Sequence, residues 1–268
     1  VILFRDNGME VLLLKGIGIA ANYPVPSHRE SGDLDIFLYG DHEKGNQLIE
    51  SLGIPVNREG SKHSTFFFQG TPVENHLSFL DIEYSQTNKN IELHLHEILA
   101  VQGHQTMYID EVGVRIPPPD FTALFLTRHD ITHFLASGIV LRHLCDLSLF
   151  FSRNADAINF KVFYKILEEE SQLKLFASFI DLAQHYLGMP LDCVPVLMPD
   201  ENTSNKIFLD TLNNSYRKIG SEEILKWWVL KRKAVGAIHL FRSKWKYNLV
   251  EDGIFYQRVM GSLRAAFK

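Results

Sequence analysis

The sequence predicts an α+β protein: a mixed sheet flanked by helices in residues 1–116, joined to an all-helical domain in residues 117–268. Three observations lead there. Two apolar runs, Val11–Lys15 and Leu34–Leu38, are short enough and apolar enough to be buried strands. Lys62–Phe68 and Val73–His76 flank Gln69-Gly70-Thr71-Pro72, the composition of a hairpin with a tight turn. At Pro117-Pro118-Pro119-Asp120 the pattern turns helical, because three prolines continue neither sheet nor helix and Asp120 can cap the next helix.

Taken in order, the chain opens on Val-Ile-Leu-Phe rather than methionine, and residues 1–10 are expected to continue a helix begun earlier. After the first strand, Gly16–Tyr23 reads as a short helix stopped by Asn22-Tyr23-Pro24. Asp41 is an expected N-cap for a helix through Leu52, with Gly53 as its stop, and Ile54–Asn57 resembles a short strand. Asn88–Val101 has two readings. Ile91, Leu95, Ile98 and Leu99 make one helical face, whereas Ile91–His96 alternates at period two and as a strand would display Glu92, His94 and His96 together. Beyond the prolines, helices are expected over Phe121–Ala136, Ile139–Phe151, Phe160–Glu169, Leu173–Leu187, Asn205–Ser215 and Glu222–Tyr247.

Composition narrows the function. A chain of 268 residues with 46% hydrophobic content can bury a sizeable core, here read as two closely packed domains. A net charge of −5 argues against bulk-charge binding of nucleic acid. The last predicted helix does carry Lys226, Lys231, Arg232, Lys233, Arg242, Lys244 and Lys246 among Trp227, Trp228 and Trp245, but an amphipathic helix with solvated lysines accounts for it. Two cysteines, Cys145 and Cys193, make no disulfide framework. With no secretory signal and no apolar run of membrane length in view, the expected setting is a reducing cytoplasm.

The chemistry concentrates at Asp33-Leu34-Asp35-Ile36. On a strand, residues i and i+2 share a face, so the two carboxylates stand together while Leu34 and Ile36 face the core. Paired carboxylates suit Mg2+ or Mn2+, hard cations that are completed by substrate phosphates. Glu74, on a strand returning beside the Asp33 strand, is the expected third acid, with Glu92 as its alternative; His76 shares the face of Glu74. Lys15 and Arg29 read either as phosphate contacts or as structural charges, Arg29 then pairing with Asp33 or Glu30. Gly16 would let a phosphate approach the start of the following helix.

Two groups in the helical half have alternative readings. His129 and His133 stand at i and i+4 around Asp130, the spacing of a zinc site, yet no third ligand sits at a fixed offset, and histidines lining a cleft or meeting substrate are favoured. Arg142 and Asp146 are an i, i+4 pair, either a structural ion pair or substrate-facing.

Lys15-Gly16, the Arg29-x-x-Gly32-Asp33-Leu34-Asp35 segment, Glu74-x-His76 and Gly138-Ile139-Val140-Leu141-Arg142 with Asp146 together resemble the uncharacterised bacterial branch of the nucleotidyltransferase superfamily, from about Leu12 to Phe151. The resemblance implies a core similar to that of DNA polymerase beta and kanamycin nucleotidyltransferase, with the active site in the cleft between the two parts. It further implies transfer of a nucleoside monophosphate from a nucleoside triphosphate to an acceptor hydroxyl, the acceptor being a small molecule, protein or RNA. Asp33, Asp35 and Glu74 would be the catalytic and metal-binding acids; Lys15, Gly16, Arg29, Gly32, His76, His129, His133, Arg142 and Asp146 would meet nucleotide or substrate. The family's Gly-Ser or Gly-Gly pair is Gly16-Ile17 here, and this departure supports a second expectation, a non-catalytic nucleotide- or partner-binding protein such as a toxin–antitoxin component.

Overall fold

The computed structural model describes residues 1–213, apart from 31, 84, 137 and 196, together with residues 243–250. Six strands form one mixed sheet: β1 (Leu12–Leu13), β2 (Leu34–Phe37), β3 (His63–Phe68), β4 (Thr71–His76), β5 (Gln105–Ile109) and β6 (Val112–Ile116), in the order β3-β4-β2-β1-β6-β5. β1 runs antiparallel to β2 and parallel to β6; β2 runs parallel to β4, and the β3–β4 and β5–β6 pairs are hairpins. The sheet half also carries helices α1 (Ile2–Asp6), α2 (Ile17–Ala20), α3 (His42–Ser51) and α4 (Gln86–Gln102). Then come α5 (Pro119–Ala136), α6 (Leu141–Asn154), α7 (Phe160–Glu169), α8 (Leu173–Leu187), α9 (Glu201–Asn213) and the short α10 (Lys244–Tyr247).

Alternation along the strands sorts side chains between two cores. Ile36, Leu38, Val73 and Phe66 turn to one face, where Phe4, Met9 and Ile49 complete a small cluster. The opposite face contributes Leu12, Leu14 and Phe37 to a larger cluster that runs on through Phe79, Phe121, Phe125, Phe134 and Phe151 into the helices. The sheet and the helical part thus share a continuous apolar interior, and burial of this kind stabilises at roughly 25 cal/mol per Å2. Among the described residues no helix is long and apolar enough to cross a membrane. Cys145 and Cys193 are free thiols.

Several expectations change. The Ile91–His96 run lies inside α4, started by Ser85, whose side chain accepts from the Asn88 amide. Ile54–Asn57 makes only a single bridge, Asn57 to Thr65. Asp41 precedes α3 without a side-chain cap bond. Pro119 opens α5 instead of blocking it, since the first helical position has no use for an amide hydrogen, and Asp120 falls inside the first turn. The Asp120 carboxylate accepts instead from the Asn159 amide (2.7 Å) and Gln102 (2.6 Å). The β5–β6 hairpin was not expected. Of the helix expected over Glu222–Tyr247, only α10 is described; Lys226, Trp227, Trp228, Lys231, Arg232, Lys233 and Arg242 lie outside the described residues. Within α10 Lys246 is buried and pairs with Asp210 at 2.6 Å, so it is no free phosphate contact.

Candidate active site

The central strands set the acids. β2 and β4 run parallel with Asp35 opposite Glu74 and Phe37 opposite His76, so the i, i+2 rule puts Glu74 and His76 on the face that carries Asp35. Asp33 stands just before β2, and ligand oxygens of Asp33, Asp35 and Glu74 all lie within 4.8 Å of one another. The other alternation of β4 serves structure: Asn75 donates to Asn46 (2.9 Å), which also accepts from Ser64 (2.6 Å) and so ties α3 beneath the sheet.

Asp35 is fully buried. One of its oxygens faces His76 Nε2 at 2.9 Å and Lys15 Nζ at 3.2 Å. Burial pushes this carboxyl's pKa up, but the His76 contact and the charge of Lys15 outweigh it, and the group stays ionised well below the usual carboxylate range. Its second oxygen, Oδ2, has no hydrogen-bond partner among the described residues. A buried, ionised oxygen without a donor fits a cation, and oxygen donors suit Mg2+ or Mn2+. Glu74 is also held below its ordinary value, burial opposing and His76 favouring the charged form.

Lys15 joins the sheet to the helices. Its ammonium reaches Asp35 on one side and His129 Nε2, 3.3 Å away, on the other. His129 in turn lies 3.2 Å from His133, whose ring stacks on His143 with centroids 4.9 Å apart. Burial is the main cause that lowers the pKa of all three imidazoles, to about 4 for His143. Burial likewise pushes Asp130, beside His129, well above the ordinary aspartate value, with the charge of Asp146 adding to it. Of the i, i+4 histidines His129 lines a cleft, with His133 behind it, and the two form no zinc site: among the described residues no third ligand joins them.

That cleft is lined by Lys15, Gly16, Arg29, Gly32, Asp33, Arg142 and His143, and Asp146 also borders it. Gly16 has φ +68°, and a Cβ there would meet the Asp33 carbonyl at 3.4 Å, so glycine lets the turn pass close to β2. Arg29 pairs with neither Asp33 nor Glu30. Its Nε and one terminal nitrogen both donate to Asp146 at 2.8 Å, and Tyr23 donates to the same carboxylate at 2.7 Å. Asp146 is thus taken by a distant arginine, and Arg142 donates to the Glu30 carbonyl at 2.9 Å in place of an intrahelical pair. His76, expected at substrate, is fully buried, with Nδ1 donating to the Ser78 carbonyl at 3.1 Å; it positions Asp35 from behind. Glu92 sits outside the acid cluster, where its two oxygens accept from the Phe79 and Leu80 amides at 2.9 and 2.8 Å.

His143, Tyr23, Lys62 and His63 stand near the site without having been expected there. The pairing of β3 with β4 puts His63 directly opposite His76, a relation that follows from the hairpin register once the turn is fixed.

Residues 2–188 match the family described as uncharacterised nucleotidyltransferase. Among curated proteins, none matches the chain. Similar solved structures include the solution structure of the antibiotic-resistance factor ANT(2'')-Ia, at 12% identity over 70% of this chain and 92% of that one, with a TM-score of 0.43. A crystal structure of ANT(2'')-Ia in complex with adenylyl-2''-tobramycin is similar at 12% identity, 57% and 83% coverage and a TM-score of 0.40. An antigenic nucleotidyltransferase-like protein from Paracoccidioides brasiliensis is similar at 14% identity, 55% and 70% coverage and a TM-score of 0.36.

Proposed function

The chain belongs to this nucleotidyltransferase family, and from that premise we propose that it moves a nucleoside monophosphate from a nucleoside triphosphate to an acceptor hydroxyl, in a metal-dependent reaction. The observation that carries the reading is the three-acid cluster with the unpartnered Oδ2 of Asp35, set beside a cleft lined by Lys15, Arg29 and Arg142. Asp33, Asp35 and Glu74 would hold Mg2+ or Mn2+, which when bound neutralises charge on the reacting phosphate and on departing pyrophosphate. Asp33 belongs to both the acid cluster and the cleft lining, so phosphate drawn into the cleft meets the acids there.

The remaining work falls to fixed charges. Gly16 admits the triphosphate close to the backbone, Lys15 and Arg142 offset its negative charge, and the Asp146–Tyr23 pair holds the Arg29 guanidinium in place. In this proposal Glu74, ionised and partly exposed, polarises the acceptor oxygen as metal ligand or as base. Positioning and preorganised charge supply the catalysis. In this proposal residues 1–116 supply the acids and residues 117–268 close the cleft.

The test is a melting series with each nucleoside triphosphate, with and without Mg2+, on the wild type and on Asp33→Asn/Asp35→Asn. The wild type gains stability by mass action, about 2.7 kcal/mol at a ligand concentration a hundredfold above Kd. The double variant stays folded and loses the metal-dependent gain. Equal shifts in both proteins overturn the site. A wild-type shift without pyrophosphate release across small-molecule, protein and RNA acceptors favours the binding-protein reading, which the Gly16-Ile17 pair, lacking a serine hydroxyl, supports.

A further inference from the structure

A second group of ligand atoms lies against the acid cluster. On neighbouring strands, His63 faces His76 in register, and Glu74 projects between them. His63 Nε2 is 3.4 Å from one Glu74 oxygen and His76 Nε2 is 3.5 Å from the other, and one ligand atom from each of the three residues fits within 4.8 Å. Donor and acceptor roles make the geometry informative. The Ser78 carbonyl can only accept, so His76 Nδ1 carries a hydrogen toward it. Its Nε2 faces a carboxylate oxygen of Asp35 at 2.9 Å, with Glu74 beyond. These nitrogen and oxygen atoms stand at a spacing that suits adjacent ligands of one cation, which would displace the proton between His76 and the carboxylates. Asp35 Oδ2, in a fully buried residue, and His63 Nδ1 also lack hydrogen-bond partners among the described residues.

We propose that His63, Glu74 and His76 form a second cation site, of mixed imidazole and carboxylate character, that takes a first-row transition ion such as Co2+, Mn2+ or Zn2+ in preference to Mg2+. Imidazole nitrogen favours the borderline transition ions, whereas Mg2+ prefers an all-oxygen shell. Two histidines and one carboxylate leave coordination positions open, and Glu74 is shared with the group of acids that would hold the first ion. The inference rests on the preceding reading only through the shared Glu74, and it requires neither nucleotide nor turnover.

The experiment uses the full chain, stripped with a chelator and titrated with Co2+ without nucleotide while visible absorption is recorded. The wild type is expected to bind Co2+ with a nitrogen-ligated spectrum that survives about a hundredfold excess of Mg2+. His63→Ala and, as a bulkier variant that can fill the space, His63→Gln are expected to weaken Co2+ binding about tenfold or more and to shift the spectrum. Asp33→Asn is expected to retain the His63-dependent spectrum while losing the Mg2+–nucleotide melting shift, so the two sites fail separately. Unchanged Co2+ affinity and spectrum in the His63 variants overturn the proposal, as does displacement of Co2+ by equimolar Mg2+. Either result leaves a histidine–carboxylate hydrogen bond and no more.

Discussion

Asp35 shows how a charge survives with no exposure to water. Its carboxylate is held by an imidazole and an ammonium, and Lys15 is itself shared with His129, so each group is oriented by the next. Removing one member would leave the others buried without a partner, which costs more than the pair contributes. Glu92 illustrates the opposite use of a buried acid. It anchors the turn after β4 by accepting from two backbone amides, and it meets no part of the acid cluster. Glu92→Ala is expected to destabilise the protein by about 2 to 4 kcal/mol, since two charge-assisted bonds vanish and two buried amides lose their acceptor. Denaturant titration reads the loss. The Mg2+–nucleotide melting shift should persist in that variant, and its disappearance would return Glu92 to the site.

Between elements, the Arg29–Asp146 pair fastens the segment ahead of β2 to α6 with two parallel bonds, both side chains being largely buried. Burial lowers the Arg29 pKa, but the Asp146 contact more than offsets this and the pKa is raised overall. Arg29→Met strands a buried carboxylate and is expected to cost about 3 to 5 kcal/mol, whereas Arg29→Met/Asp146→Leu recovers most of it. A double variant no more stable than the single one would show that the pair is not the fastener. This bond also marks what spacing can reveal. Sequence spacing suggests partners nearby, and Asp33 and Glu30 were the natural choices for Arg29; the real one is 117 residues on. The β3–β4 hairpin and the i, i+2 acids were legible because strand periodicity and a Gly-containing turn are local properties. The β5–β6 hairpin was not: its turn residues Asp110 and Glu111 both adopt positive φ, 45° and 67°, without the glycine that advertises such a turn. Ile91–His96 fitted both periods, and the Ser85 cap upstream, outside the run itself, decided for helix.

At the scale of the whole molecule, burial lowers the pKa of five histidines among the described residues, His42, His63, His129, His133 and His143. The unfolded chain takes up these protons more readily than the folded one. The stability these histidines contribute is therefore full above their ordinary value of 6.5 and is lost as pH falls toward the folded value, about 4 for His143, while the raised Asp130 acts in the opposite direction. Each tenfold loss of proton affinity on folding corresponds to about 1.4 kcal/mol, so the melting temperature should drop steeply between neutral pH and about pH 5. His143→Gln, which keeps an acceptor for the Val140 amide, should flatten that slope. An unchanged slope would remove His143 from the account. The lowered carboxyls of Asp35 and Glu74 act further down, below their ordinary values of 3.8 and 4.5, where protonation withdraws the stability their charged forms contribute.

The contacts that build the cleft join remote parts of the chain: Lys15 to His129 spans 114 residues, Arg29 to Asp146 117, and Arg142 to Glu30 112. Such closures carry an entropic cost before any contact offsets it, and long-range contacts of this kind slow folding. During synthesis, the acids are made long before α5 and α6 have left the ribosome. A nascent chain would hold Asp33 and Asp35 without the helical groups that frame them, and the cleft exists only once the chain has doubled back on itself. Cutting the gene at the proline run would yield two fragments, neither carrying the whole cleft.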